Sequence, residues 1–328
     1  MTTTTTEQPR RWRLGINRWW ILLFVILMIV SVNLIAPVLP HIQVAPERLA
    51  EAPLVTLPVI GPLYLTNTLT TNLLVVAVII LLAYLVKRSL SSGDMVPRGI
   101  SGAMEALIEA MYNLTEGTTG AKWARIIFPW FATFLIYILV ANMIRLLPIF
   151  ETFGPLHHIS EGGNAVQQLA PGIATVVNQP GEFVVTPIFR GLATDLNFTA
   201  ALALVSVIAT QIIGVQAGGL RYFTRFFNYT TLFNKPFFGA IDFAVGLLEL
   251  ISTLALILSF SFRLFGNIFA GTVLFALVAV LVPVFMPSAI QLFEFFIGLI
   301  QAFVFGMLTM VFMSQAVAHT AHGEGGEH

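Results

Sequence analysis

The stretch Phe237–Val282, FFGAIDFAVGLLELISTLALILSFSFRLFGNIFAGTVLFALVAVLV, decides the fold. It is 46 residues long and almost wholly apolar, and a second apolar run of 30 residues, Ala289–Ala318, follows it. A helix crossing about 30 Å of hydrocarbon needs about 20 residues. At about 1.5 Å per residue these two runs would make helices of about 70 Å and 45 Å. Each must double back or lie strongly tilted. Pro283 and Pro287 mark the turn between them, so the expected unit is a hairpin of two overlong helices within 237–318.

The rest of the chain agrees with lipid as the main solvent. Hydrophobic residues make up 57 % of the 328 and charged residues 10 %, less than half the share usual in soluble domains. Four further runs, Trp19–Leu39, Leu69–Val86, Ile126–Ile149 and Phe198–Ala217, each fit a single crossing. The fold class is therefore an all-α polytopic membrane protein with about six membrane helices. A formal net charge of zero excludes a polybasic nucleic-acid binder. The absence of cysteine excludes disulfides, thiolate metal sites and thiol catalysis.

Basic residues set the orientation. With a cytoplasmic N-terminus and six crossings, twelve of the sixteen fall inside: Arg10, Arg11, Arg13, Arg18, Lys87, Arg88, Arg98, Lys122, Arg125, Arg221, Arg225 and Lys235. Arg48, Arg145 and Arg190 fall outside, and Arg263 lies within the fifth run. Both termini are expected in the cytoplasm, and the bacterial plasma membrane is the expected location. Arg10-Arg-Trp-Arg before an apolar run resembles a signal peptide, but the run is long and lacks a small-x-small cleavage site, favouring an uncleaved first span.

The expected organisation is a cytoplasmic tail over 1–18, an extra span and outer segment over 19–65, a membrane domain over 66–318, and a cytoplasmic tail over 319–328. Ser91–Thr119 intersperses Met104, Leu107, Ile108 and Met111 with Glu105, Glu109 and Glu116, the pattern of an amphipathic surface helix. The outer loop, 150–194, shows no readable catalytic pattern. His319, His322 and His328 near the C-terminus read as a solvated tail rather than a metal site.

No phosphate-binding glycine loop, Ser-His-Asp set or HExxH motif is present. What stands out is charge inside the last two runs: Asp242, Glu249, Arg263 and Glu294, with Asn267 and Gln301. An arginine at mid-span costs about 2.5–3.5 kcal/mol on insertion scales, so it is rarely idle. Arg263 and Asn267 are four apart and share a face. Glu249 precedes Arg263 by fourteen residues, close to four whole turns, and so lies on that face about 21 Å away. Folding the hairpin near Phe285 brings Gln301 level with Asn267, puts Glu294 nearer the turn and leaves Glu249 toward the cytoplasm. A buried glutamate can exchange protons, whereas guanidinium is effectively never deprotonated. Arg263 is thus suited to block a continuous proton wire and to attract a carboxylate carried to it by a partner. A secondary transporter binding an anion, or a purely structural anchor, are the rival readings.

Leu258-Ser-Phe-Ser-Phe-Arg263-Leu-Phe-Gly-Asn267-Ile-Phe-Ala-Gly271 resembles the signature of the subunit a family of F-type ATP synthases. Gln301-Ala-Phe-Val-Phe-Gly, Leu146-Leu-Pro148 after Asn142, and Asp195-Leu-Asn197-Phe-Thr resemble further landmarks of that family. The resemblance implies a non-catalytic stator beside a ring of c subunits, held by peripheral-stalk b subunits, with the tilted hairpin against the ring and no cofactor. The family includes sodium-translocating members as well, and the proton is the expected ion here. The resemblance implies Arg263 as the essential arginine. Asn267 and Gln301 would be its polar companions, Glu249 the acid of the cytoplasmic half-channel and Asp195 an acid near the outer entrance. Thr272 departs from the family, whose members commonly carry an acid or histidine there. Glu294 falls where a histidine or acid is usual and is implied as the outer relay.

Overall fold

A computed structural model describes residues 15–34, 44–58, 61–90, 99–147, 153–171, 173–226, 236–282 and 286–323. Among the described residues there are six α-helices: α1 (Gly15–Leu34), α2 (Asn67–Leu90), α3 (Ile100–Arg145), α4 (Leu196–Gly218), α5 (Pro236–Leu281) and α6 (Met286–Gly323). Five of them, α2 to α6, are long and apolar enough to cross a membrane, and α1 adds a shorter apolar stretch at Arg18–Val30. The chain is a multi-pass integral membrane protein.

Its core is helix against helix. Phe134 and Ile138 of α3, Ala203 of α4, Phe260, Leu264 and Ile268 of α5, and Ala302 and Phe305 of α6 form one buried cluster. Further along, Ile127, Phe131 and Leu135 of α3 meet Ala209 and Ile213 of α4 and Met310 and Met313 of α6. Gly306 lets α6 approach α3 closely, since a Cβ there would lie 3.1 Å from the Phe131 ring. Val75 of α2 joins Ala141 and Ile144 of α3 in a smaller cluster. Without a hydrophobic drive between helices in lipid, such close packing is what holds a bundle together.

The 46 residues of α3 are not one straight rod: Gly120, at φ 76°, breaks it. A left-handed backbone of this kind costs a glycine little and most other residues much. The break divides the Glu-bearing segment expected on the surface from the apolar crossing that follows it.

α5 and α6 are 46 and 38 residues long and run antiparallel, with Phe260 beside Phe305 and Asn267 beside Gln301. The overlong hairpin is therefore present. Along α5 exposed residues recur every three to four positions, through the apolar Ile251, Leu254, Leu258 and Phe262 and, past the exposed Arg263, Asn267 and Ala270, through Leu274 and Leu277. The opposite face carries the buried Phe260, Leu264, Ile268 and Ala276.

Among the described residues, two β-hairpins lie between the helices. β1 (Arg48–Leu57) pairs antiparallel with β2 (Gly61–Thr66), and β3 (Leu156–Ala170) with β4 (Ile173–Val185). The second fills most of the outer loop 150–194, in which the sequence shows no readable catalytic pattern. Between its strands the sequence reads Pro171-Gly172, a dipeptide that punctuates turns. Asp242, His319 and His322 are helical, but their side chains lie outside the described residues, as does His328.

Candidate functional site

The polar groups of the bundle fall into three levels along the hairpin. At the middle, Asn267 Nδ2 donates to Gln301 Oε1 at 2.7 Å, joining α5 to α6. Gln301 is 3 % exposed, and its Nε2 has no acceptor among the described residues. One turn away, Arg263 points out of the bundle on the exposed face of α5. Its Nη2 lies 3.5 Å from Ser259 Oγ, at the limit of a hydrogen bond. Unlike Arg145 with Glu294 and Arg225 with Glu249, Arg263 forms no ion pair with an acid among the described residues.

Toward the α5–α6 turn lies a buried charged cluster. Arg145, the last residue of α3, donates from Nη2 to Glu294 Oε2 at 2.9 Å and from Nη1 to Thr272 Oγ1 at 3.1 Å. The two charged side chains are 7 % and 6 % exposed. Removing one member of so buried a pair strands the other, at a cost of about 3–5 kcal/mol. Two glycines make room for it. A Cβ at Gly191 would sit 2.3 Å from Arg145 Cδ, and one at Gly271 would sit 2.7 Å from Glu294 Oε1. Asn142, one turn before Arg145, donates to the Gly298 carbonyl at 3.0 Å, and Gln291 donates to the Leu146 carbonyl, fastening α3 to α6 on either side.

At the same end, Asp195 is the N-cap of α4 and is 4 % exposed. Its carboxylate accepts from the Asn197 amide at 2.9 Å and from Thr68 Oγ1 of α2 at 3.1 Å. A carboxylate there gives an acceptor to an otherwise unpaired helix-end amide and sits at the positive end of the helix dipole. One turn on, Thr199 shares a hydrogen bond of 3.3 Å with Ser261, two residues before Arg263. The polar contacts from Asp195 thus run down α4 and cross to α5 beside the arginine.

At the other end Glu249 is held by Arg225, which ends the 3₁₀ turn Gly219–Arg225 after α4. The arginine and glutamate side chains are 29 % and 33 % exposed, so the pair is wetter and weaker than its buried counterpart. Tyr222 of the same turn donates to Gln211 Oε1 at 2.9 Å, and burial holds its hydroxyl pKa above the ordinary value against the opposing pull of Arg225.

The geometry joins Asn267 to Gln301 as the hairpin arithmetic anticipates, and it sets Glu294 and Glu249 at opposite ends of the polar track. Arg145 and Arg225 were read only as loop charges. Each turns inward onto an acid that lies far away in sequence, by 149 and 24 residues respectively. The one local hint at Arg145 was its place inside the apolar run Ile126–Ile149, four residues before its end, on the side where basic residues are scarce.

The class that this fold and site define is a polytopic membrane protein with polar groups inside its helix bundle and an outward-facing arginine on one apolar helix. The family described as ATP synthase A chain matches residues 69–314, and the chain belongs to it. It is similar to ATP synthase subunit a of Mycobacterium tuberculosis, 28 % identical over 257 residues, which cover 77 % of this chain and 87 % of that protein. Syntrophotalea carbinolica ATP synthase subunit a 1 is 30 % identical over 238 residues, 72 % of this chain and 79 % of its own length. The Moorella thermoacetica subunit a is 26 % identical over 264 residues, 80 % of this chain and 94 % of its own length.

Proposed function

We propose that the chain is the proton-conducting stator subunit a of a rotary F-type ATP synthase. It performs no bond chemistry of its own. It offers two offset half-paths for protons, and Arg263 stands between them. The observation that carries this reading is the exposed Arg263 at the middle of an apolar helix, with no acidic partner among the described residues. In lipid such a charge is costly, and a mobile carboxylate brought along the exposed face of α5 would offset that cost. A ring of c subunits is the partner that carries such carboxylates past a fixed point, and peripheral-stalk b subunits would hold the stator against it.

In this scheme a proton enters from the outside past Asp195 and Glu294 and neutralises a ring carboxylate. The ring turns, and the carboxylate ends its circuit on the other side of Arg263. There the proton leaves through the cytoplasmic half-path at Glu249. Arg263 cannot relay a proton, so it prevents the two half-paths from short-circuiting, while Asn267 and Gln301 hold the polar surface beside it. The basic-residue bias supports cytoplasmic termini.

The test is Arg263→Ala in the whole complex in membrane vesicles. Proton-driven ATP synthesis should fall below detection while the assembled complex remains at normal level. Normal synthesis in that variant would overturn the proposal.

A further inference from the structure

We propose that Arg145 is a positioning residue of the outer half-path, a fixed socket that holds the relay carboxylate and accepts it from either helix of the hairpin. The inference deepens the reading of Glu294 as outer relay and rests on it.

Three observations carry it. Arg145 is buried and forked: Nη2 meets Glu294 of α6 at 2.9 Å while Nη1 meets Thr272 of α5 at 3.1 Å. A planar guanidinium presents its donors in fixed directions, so the positions of both partners are set by one rigid group. Space has been left for this arrangement on both sides, at Gly191 for the arginine stem and at Gly271 for the carboxylate. The helix that brings the arginine is itself pinned to α6 next to the site by Asn142 on the Gly298 carbonyl. The fork therefore has little freedom to follow a carboxylate that moves; the carboxylate is kept where the fork is.

Among the described residues, the groups in hydrogen-bond contact with the fork are Glu294 from α6 and the non-titrating Thr272 from α5. When Glu294 takes up a proton from the outer water, its second oxygen still accepts from Nη2, and Nη1 remains on Thr272. The carboxyl is thus kept in one orientation through both protonation states, ready to release the proton to the next acceptor. Because Thr272 Oγ1 occupies the other prong, a carboxylate placed at position 272 would meet the same guanidinium. The socket should serve an acid from α5 as well as from α6.

The test uses ATP-driven proton pumping by the whole complex in inverted vesicles, with the amount of assembled complex measured alongside. Glu294→Gln alone should depress pumping at least tenfold, and Glu294→Gln with Thr272→Glu should recover a substantial part. Adding Arg145→Gln to that pair should remove the recovery, and Arg145→Gln in the otherwise native chain should depress pumping about as strongly as Glu294→Gln. If the chains carrying Arg145→Gln do not assemble, Arg145→Lys decides. One ammonium keeps a charge but cannot hold positions 272 and 294 together, so pumping should fall several-fold in both backgrounds. Native pumping by the Arg145→Lys or Arg145→Gln variant overturns the socket, as does recovery by Thr272→Glu that is independent of residue 145. Native pumping by Glu294→Gln alone is a different failure, because it removes the relay reading itself.

Discussion

The two ends of the polar track hold one Arg–Glu pair each, and the pairs differ in almost everything but chemistry. Arg145–Glu294 is sealed among three helices with under a tenth of either side chain exposed, whereas Arg225–Glu249 sits at a helix end about a third exposed. In the first, the surroundings have been shaped around the charges by two glycines. In the second, glycines make room for backbone and ring, Gly246 of α5 for the carbonyls of Arg225 and Phe226 and Gly214 of α4 for Tyr222, while the charged side chains themselves stay near water. Charges sealed away from water depend on each other, while charges near water can let go. The buried pair is thus suited to holding a group in place, and the wetter pair to yielding when a proton passes.

The sharpest way to break this comparison is to remove one acid at a time. Glu294→Ala leaves the Arg145 guanidinium buried without its carboxylate, and the loss should be about 3–5 kcal/mol of stability. Glu249→Ala should cost at most about 1 kcal/mol, because water replaces the lost partner. Thermal dissociation of the detergent-solubilised complex reads both, and equal shifts in the two variants would erase the distinction.

A smaller effect is expected from Gly191→Ala. The added methyl meets the arginine stem, and overpacking of this kind costs about 1–3 kcal/mol. In the same thermal assay the loss should largely vanish when Arg145 is already shortened to Ala. Persistence of the full loss would mean that Gly191 serves the backbone and not the arginine.

The smallest effect concerns transport at the wet end. Glu249→Leu should slow proton pumping several-fold without the block expected at Arg263. Raising salt from about 0.1 M to 1 M shortens the screening length from about 10 Å to 3 Å, and so should change native pumping more than pumping by Glu249→Leu. Pumping rates in the variant that match the native chain across pH would leave Glu249 with a hydrogen-bonding role alone.

Much of this was legible in the residues because membrane helices write their length and their exceptions directly into the chain. The overlong runs implied the hairpin, and simple counting from its turn paired Asn267 with Gln301. Arg145 was not legible, since its meaning depends on a partner in another helix and no periodicity links residues 145 and 294. Counting it as an outer charge followed from the orientation rule, which places residues along the membrane normal but is silent on which way a side chain turns. The β-hairpins were missed for a related reason. The strands of the longer one span a polar, irregular stretch with register shifts near Gly163 and Asn164, where alternation is lost. Thr68 as the partner of Asp195 likewise needed the bundle, as 127 residues separate them.

The volumes left open at Gly191 and Gly271 also bear on how such a chain can change over time. Each glycine is tied to one bulky neighbour, Arg145 or Glu294, and not to a backbone twist, since neither is among the residues at positive φ. A lineage that replaced the arginine by a small residue would free position 191 to acquire a side chain, and one that shortened residue 294 would do the same for position 271. Once filled, each space would bar the larger residue from returning unless the glycine came back first. The cluster should therefore vary among relatives as linked pairs, 145 with 191 and 294 with 271, and the order of its substitutions should be hard to reverse.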